Sequence, residues 1–430
     1  MGLMRIEDLF NFEKGILQSS KCTEGEFDFI TASSEWKTHN EYTHNCEALV
    51  FAAAASGSLG RTHYVNGKFI SSDLCFIITA KDPKKFPIDL KFYHMIFNEF
   101  KNDIVNSTKA GTSKEAIGMK AFGNYKLPYF DIDKQIETKI QFVNMQESKV
   151  ELTSELTHQL DLIKQLRQAF LKEAMQGKLV KSTNTKETGQ QLLTKIKAEK
   201  AKLIAEKKLK KEKELPPIAE DEIPFEIPEH WAWCRLGEVC SKIGSGSTPK
   251  GSNYSETGKP FFRSQNIHDN GLIYDDIKFV SEDVQKQMNG TVVLSNDILL
   301  NITGGSMARC ALVPNDFEEG NVSQHVCIIR PISSNNIFLH KLILSPYFQK
   351  LIFSSTTGAG REGLPKYNLE QFIIPLPPLH EQEQIVAKLE ELMKFCDGLE
   401  QSIKESQGYN EKLLQQVLRE ALQGEEVINE

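Results

Sequence analysis

Long apolar runs are missing from this chain of 430 residues. No stretch approaches the ~20 uninterrupted apolar residues that a membrane-spanning helix needs. Paired cysteines are missing too. The eight cysteines stand at 22, 46, 75, 234, 240, 310, 327 and 396 with no CxxC among them, which disfavours a zinc ribbon or a disulfide framework and suits reduced thiols. There is no excess of positive charge: 51 Lys and Arg against 58 Asp and Glu leave a formal charge of −7, so attraction to a polyanion has to be local. The opening MGLMRIEDLF has no basic segment leading into an apolar one, and the expected location is cytoplasmic.

Catalytic signatures are absent as well. Gly244–Lys250, GSGSTPK, is rich in glycine but lacks the spacing and the GK[ST] ending of a phosphate loop, and its proline would interrupt a helix start. No GxGxxG opens a helix after a strand, and neither HExxH nor GxSxG occurs. His380-Glu381 lacks the second histidine of a metal motif. Pro377-Pro378 in LPPLHE lacks the polar residue and the aromatic that hold a flipped base in the usual adenine methyltransferase. The expectation is a chain with no catalytic centre, cofactor or metal of its own. The rival enzyme reading, a metal-dependent nuclease on Asp316, Glu318 and Glu319, rests on an acidic loop that reads more simply as solvated.

What is present is a soluble globular composition, 40% apolar and 25% charged, long enough for two or three domains. One pattern is written twice. RIEDLF at Arg5–Phe10 answers RLGEVC at Arg235–Cys240, GSLGR from Gly57 answers GSMAR from Gly305, and CFII from Cys75 answers CIIR from Cys327. LPYFDIDKQ from Leu127 answers IPLPPLHEQ from Ile374. Pro128 and Pro375 stand equally far before Gly177 and Gly424, the ends of LRQAFLKEAMQG and LLQQVLREALQG. Constant order and near-constant offset indicate a tandem duplication. Short apolar runs such as ALVFAAAA, DLCFIIT, DILLNIT and HVCIIRP, broken by Gly, Asn, Asp and Pro, read as strands and turns. FYHMIFNEFKNDIV and LHKLILSPYFQKLI add a helix to each half.

After the prolines the period changes. Ile385, Leu389, Leu392, Cys396, Leu399, Ile403, Ser406, Asn410, Leu413 and Val417 fall on a heptad seam. Its weaker counterpart in the first half contains Leu152, Leu156, Ile163, Leu166 and Phe170. Two seams in one chain predict that the helices pair with each other, each about 65 Å long at 1.5 Å per residue. The alternative is two amphipathic helices, each docked on its own domain. Between the halves, Lys181–Leu215 holds eleven lysines and five glutamates, followed by Pro216-Pro217 and an acidic run. It reads as a solvated linker helix and an extended linker rather than a phosphate contact. Trp231 and Trp233 of EHWAW are expected to seat the second domain against this linker, and His325 to be a strand-edge or core histidine.

Binding candidates cluster in loops. ITGGS from Ile302 supplies Ser306 and leads to Arg309, and its earlier version supplies Ser58 and Arg61. Glycines let backbone approach a phosphate, and arginine can fork onto guanine. Thr357, Arg361 and Lys366 lie on one Gly-rich loop, and Lys109, Thr112 and Lys114 on its counterpart. Ser247 and Thr248 occupy the GSGSTP loop. Arg263, Gln265 and Asn266 follow the aromatic strand end Phe261-Phe262 and are the residue types that read base edges.

These segments resemble the specificity subunits of type I restriction–modification enzymes. EIPFEIPEHWAWCRLGEV, GSGSTP, FFRSQNI, NDILLNITGGS, NVSQHV and IPLPPLHEQEQIVAKLEEL look like one target-recognition domain running into its long helix. FITASSEW, GSLGRTHYVNGKFISSDLC, GTSKEAI and YKLPYFDID resemble another variety, without an EHWAW lead or a GSGSTP loop. The resemblance spans essentially the whole chain. It implies an α+β fold of two tandem β-rich target-recognition domains, 1–132 and 230–379. Long helices follow at 133–180 and 380–430, paired as an antiparallel coiled coil, with the linker at 181–229. It implies a non-catalytic role: binding double-stranded DNA at a bipartite, asymmetric target, with the paired helices as a ruler. Two methyltransferase subunits using S-adenosylmethionine and two restriction subunits using ATP and Mg would dock on it, and inhibitory proteins that copy DNA would compete for its surface. The rival from another class is a coiled-coil interaction scaffold with no DNA role.

Overall fold

The repeated anchors fold alike. The computed structural model describes residues 2–54, 57–110, 115–181, 186–211, 213–356 and 363–423. They form two units: residues up to His158 with those from Ile403 on, and Gln159–Ser402. In the first unit Gly2–Arg5 pairs antiparallel with Lys126–Tyr129, Ile6–Leu9 makes one helical turn, and Phe10–Lys14 enters a sheet. In the second, Ala232–Arg235 pairs with Ile373–Leu376, Leu236–Val239 makes the turn, and Cys240–Ser245 enters the sheet. Ile6 and Leu9, like Leu236 and Val239, point into the core.

The next four strands repeat in order, and the first three of them in register. Phe10–Lys14, Cys75–Ala80, His44–Ala52 and Thr62–Ser71 lie side by side in the first unit. Cys240–Ser245, Val326–Pro331, Ile298–Asn301 and Cys310–Leu312 do so in the second. Lys14 faces Phe76 where Gly244 faces Ile328, and Val50 faces Ile77 where Ile298 faces Ile329. These strands carry unbroken apolar runs because both faces are covered. Leu49 and Phe51 enter one core while Ala48, Val50 and Ala52 enter another. Beyond this frame the domains diverge. The first extends the same sheet with Phe27–Ile30 and Lys37–His39. The second builds a separate sheet from Lys278–Val280, Lys259–Phe262, Glu319–Val322 and Val292–Leu294.

Each domain hands over to a long helix, Ile132–Met175 or Leu379–Gln423. In the first turn of each stands a fully buried glutamine. Gln135 Nε2 donates to the carbonyls of Phe130 (2.7 Å) and Pro87 (2.9 Å), and its Oε1 accepts from the Asp89 amide (2.8 Å). Gln382 Nε2 donates to Pro377 O (2.9 Å), and its Oε1 accepts from the Asn335 amide (2.9 Å) and Ser334 Oγ (3.1 Å). Asp89 and Asn335 are the N-caps of the domain helices Leu90–Glu99 and Asn336–Ile343. Each glutamine amide is therefore paired through both its nitrogen and its oxygen, as burial requires.

The long helices pair antiparallel. Leu171, Ala174 and Met175 share a core with Ile385, Val386 and Leu389, while Arg167 reaches Asp397 (2.7 Å) and Glu400 (3.1 Å). In the other unit, Asn410 Nδ2 donates to Thr153 Oγ1 (3.1 Å). Leu156, Ile163, Ile385, Leu389 and Cys396 are buried, and Leu166, Phe170, Leu392 and Ile403 half-buried. Leu152, Leu399 and Leu413 are exposed, against the heptad expectation. A two-helix pair covers one narrow stripe; the seam's Asn410 makes contact, and so does Arg167, which the expectation did not place there. Val417 lies on the helix, its side chain outside the described ones.

The lysine-rich segment is not a free spacer. Thr188 and Gln191 form a capping box for the helix Gly189–Ala205, whose Leu192, Leu193 and Ile196 are buried with Met175 and Trp231. A Cβ on Gly189 would lie 2.1 Å from Leu376 O, so this approach requires glycine. The linker then wraps the second domain. Arg235, buried unlike exposed Arg5, donates to the carbonyls of Pro216 (2.7 Å), Pro217 (3.1 Å) and Gln371 (2.9 Å) and pairs with Glu222 (3.0 Å). The Trp233 ring meets linker Phe225 edge-on at 5.1 Å, which seats the domain as expected.

Gln382→Ala leaves the Asn335 amide and the Pro377 carbonyl buried without partners. We expect a loss of about 1–3 kcal/mol per stranded group, read as a lower urea midpoint for the full chain.

Candidate nucleic-acid interface

The second strand of the frame, Ile298–Asn301, ends on a buried asparagine. Asn301 Nδ2 donates to Ser264 O (2.9 Å) and to Ser306 O and Oγ (both 3.2 Å), tying the ITGGS loop to the FRSQN turn. Backbone bonds gather the others: Ile302 N–H to His325 O (3.0 Å), Leu364 N–H to Ile302 O (2.9 Å), Gly246 N–H to Val326 O (3.0 Å) and Ser247 N–H to Val322 O (3.1 Å). GSGSTP, FRSQN, ITGGS and SQH thus meet at one end of the sheet. A row of side chains links three of them. Thr248 Oγ1 donates to Gln324 Oε1, Gln324 Nε2 meets His325 Nε2 at 3.3 Å, and His325 Nδ1 meets Thr303 Oγ1 at 2.7 Å. His325 is therefore an exposed strand-edge residue and not a core one.

The candidates differ in how free they are. Ser247 and Arg309 are exposed, and the Arg309 guanidinium has no hydrogen bond or ion pair among the described residues. Lys366 pairs with Glu370 (3.0 Å). Arg263 Nη2 donates to both Asp276 O (2.6 Å) and Oδ2 (3.0 Å), and Gln265 Nε2 donates to the same Oδ2 (3.1 Å). Lys278 Nζ takes the other oxygen at 3.2 Å. These donors, Arg263 foremost, hold the Asp276 carboxyl below its ordinary range. Asn266 is buried and does not face solvent. Its Oδ1 accepts from the Arg263 amide (3.0 Å), and its Nδ2 donates to Ile273 O (3.0 Å) and Asp275 O (3.3 Å). It braces the loop instead of offering an amide to a base, a correction to the sequence expectation.

The first domain brings together the equivalent loops. Ile117 N–H donates to Ala53 O (2.8 Å), repeating the bond from Leu364 to Ile302. Arg61, half-buried, donates to Ala32 O (3.1 Å) and Ser58 Oγ (3.3 Å), so it ties its own loop to the FITASSEW segment. Lys109 pairs with Glu115 (2.9 Å). Thr112, Lys114, Thr357 and Arg361 lie outside the described residues. Sequence reasoning missed Trp36, which is 39% exposed and donates from Nε1 to His63 Nδ1 (3.2 Å). His63 Nε2 meets Ser33 O at 2.8 Å, and burial pushes its pKa down, which keeps the ring a neutral acceptor for Trp36. It also missed Asp276 and Gln324. No spacing rule marks any of these; only the fold brings them to the loop ends.

The acidic loop proposed for a nuclease closes on a cation, Lys259, 3.2 Å from Glu319 and 3.7 Å from Glu318. Among the described residues no group of three His, Cys, Asp or Glu could hold a metal ion, and no helix is long and apolar enough to cross a membrane.

One frame used twice, carrying two unlike loop surfaces and rooted on two paired helices, defines a modular recognition protein. The family model for the type I restriction modification DNA specificity domain matches residues 1–169 and 228–406, and the chain belongs to that family. It is similar to the specificity subunits of two type I restriction enzymes of Escherichia coli. One is that of EcoAI, 30% identical over 246 residues, covering 56% of this chain and 41% of that one. The other is that of EcoEI, 33% identical over 265 residues, covering 60% and 43%. The chain thus spans less than half the length of these relatives. The fold is also that of the HsdS subunit crystal structure from Thermoanaerobacter tengcongensis, with a TM-score of 0.58 and 18% identity over 98% of this chain and 96% of that one.

Asn301→Ala removes the side chain that ties the ITGGS loop to the FRSQN turn. The expected outcome is a loss of about 1–3 kcal/mol in urea unfolding, with earlier proteolytic cutting near Ser264 and Ser306.

Proposed function

We propose that the chain is the non-catalytic sequence-specificity subunit of a cytoplasmic type I restriction–modification complex. It reads a bipartite, asymmetric duplex, one half-site per domain. The observation that carries this reading is a frame repeated to the level of strand register, Val50 with Ile77 and Ile298 with Ile329, beneath loops that share little sequence. A repeated frame suits two sites of like geometry along one duplex, and unlike loops suit two different sequences. Methyltransferase subunits using S-adenosylmethionine and restriction subunits using ATP and Mg supply the chemistry in this reading, two of each docking on the subunit.

Adenine-methylation sequencing of the host genome with and without the gene tests it. A split, asymmetric N6-methyladenine motif that disappears on deletion is the expected result. An unchanged methylome, with DNA affinity that ignores salt, would favour the scaffold reading.

Among the described residues Arg309 makes no hydrogen bond or ion pair through its guanidinium. Arg309→Ala should leave the unfolding midpoint unchanged and cost ~1–3 kcal/mol of binding at one half-site if the fork meets a guanine. An equal loss on every duplex would mark a phosphate contact instead.

A further inference from the structure

We infer that Asp276 is a specificity-determining residue: it acts as an internal acceptor that holds Arg263 and Gln265 and screens the surface against wrong DNA. The inference rests on the DNA-reading proposal and adds a residue to it. Both hydrogens of Arg263 Nη2 go to Asp276, one to the carbonyl and one to the carboxylate, and Gln265 Nε2 shares that carboxylate. Lys278 closes the cluster from the other side. Three donors suited to base edges or phosphates therefore converge on one acidic side chain, itself 64% exposed.

This placement is built into the loop. Asp276 adopts φ +50°, the left-handed region that a residue other than glycine enters at a cost. The loop is held in that conformation by buried Asn266, through the carbonyls of Ile273 and Asp275, and by the turn bond from Ile277 N–H to Tyr274 O (3.2 Å). Such a conformation persists where its surroundings over-determine it. Functionally, a duplex that offers acceptors in the right places exchanges them for the Asp276 contacts. A duplex that does not meets a carboxylate facing its phosphates, and like charges set together cost affinity.

The test uses the full chain and two duplexes of equal length: one carrying the target found by methylation sequencing, the other a shuffled version. Asn tolerates the left-handed region, so Asp276→Asn removes the charge and keeps the backbone. Asp275→Asn, an exposed neighbour outside the cluster, makes the same change in net charge. By fluorescence anisotropy, Asp276→Asn should raise affinity for the shuffled duplex about tenfold and shrink the target-to-shuffled ratio accordingly. Asp275→Asn should shift the ratio by less than about twofold, as a screened surface charge would. A ratio unchanged in Asp276→Asn, or moved equally by Asp275→Asn, would overturn the inference while leaving the DNA reading intact. If the natural chain shows no preference for its target, the DNA reading itself falls, and the inference with it.

Discussion

The structure depends on a glutamine used twice. Gln135 and Gln382 each stand in the first turn of a long helix, where backbone amides and carbonyls would otherwise be orphaned under a closing strand. Each amide group pairs in two directions, back to its own chain and across to the N-cap of a domain helix. Without that bridge, the junction would bury amide and carbonyl groups with no partner, each at a cost in stability. With it, the direction of the helix is set by the domain it leaves. The loop ends are set by the same frame, since the capped helices Leu90–Glu99 and Asn336–Ile343 pack into the cores beneath the sheets.

Much of this was legible in the sequence, for a physical reason. The anchors RIEDLF and RLGEVC, and the nonapeptides ending in Gln135 and Gln382, mark places where both halves need the same kind of residue: Ile6 and Leu9 answer Leu236 and Val239 in the core, and Gln135 answers Gln382. Their spacing carries the register. The helix seam was only half legible. Heptad counting assigns Leu152, Leu399 and Leu413 to the contact, yet they face solvent. Arg167 makes contacts through a polar group that a hydrophobic period does not register, whereas Asn410 falls on the seam and does make contact. The loops were least legible. Arg263, Gln265 and Asn266 look alike as base readers in sequence, but burial separates them: one braces the loop and two are held by an aspartate ten or more residues away.

The same difference separates Arg61 from Arg309, which occupy matching places in the two halves. Arg61 turns inward to Ala32 and Ser58, where the extended first sheet brings the FITASSEW segment alongside. Arg309 has no such partner among the described residues and is exposed. The second domain places its extra strands in a separate sheet, whose FRSQN turn meets the ITGGS loop through Asn301 and not through Arg309. Where an asparagine makes the tie between loops, the matching arginine is left as an exposed donor. Two domains with one frame can therefore present different chemistry without changing the residues that hold the frame together.

That separation explains why a duplicated chain can become asymmetric without losing its fold. The positions that fix the frame, Val50 and Ile298 at the sheet centre and the two glutamines at the helix roots, are buried and satisfied. The positions that would touch a duplex lie where strands end and backbone bonds reach between loops, so a substitution there changes which donors face outward more than it changes stability. The exceptions are the buried braces, Asn266 and Asn301, which lie within the loops but behave as core. Any altered specificity would have to leave those two in place while varying the exposed positions around them, which confines variation to the solvent side of each loop.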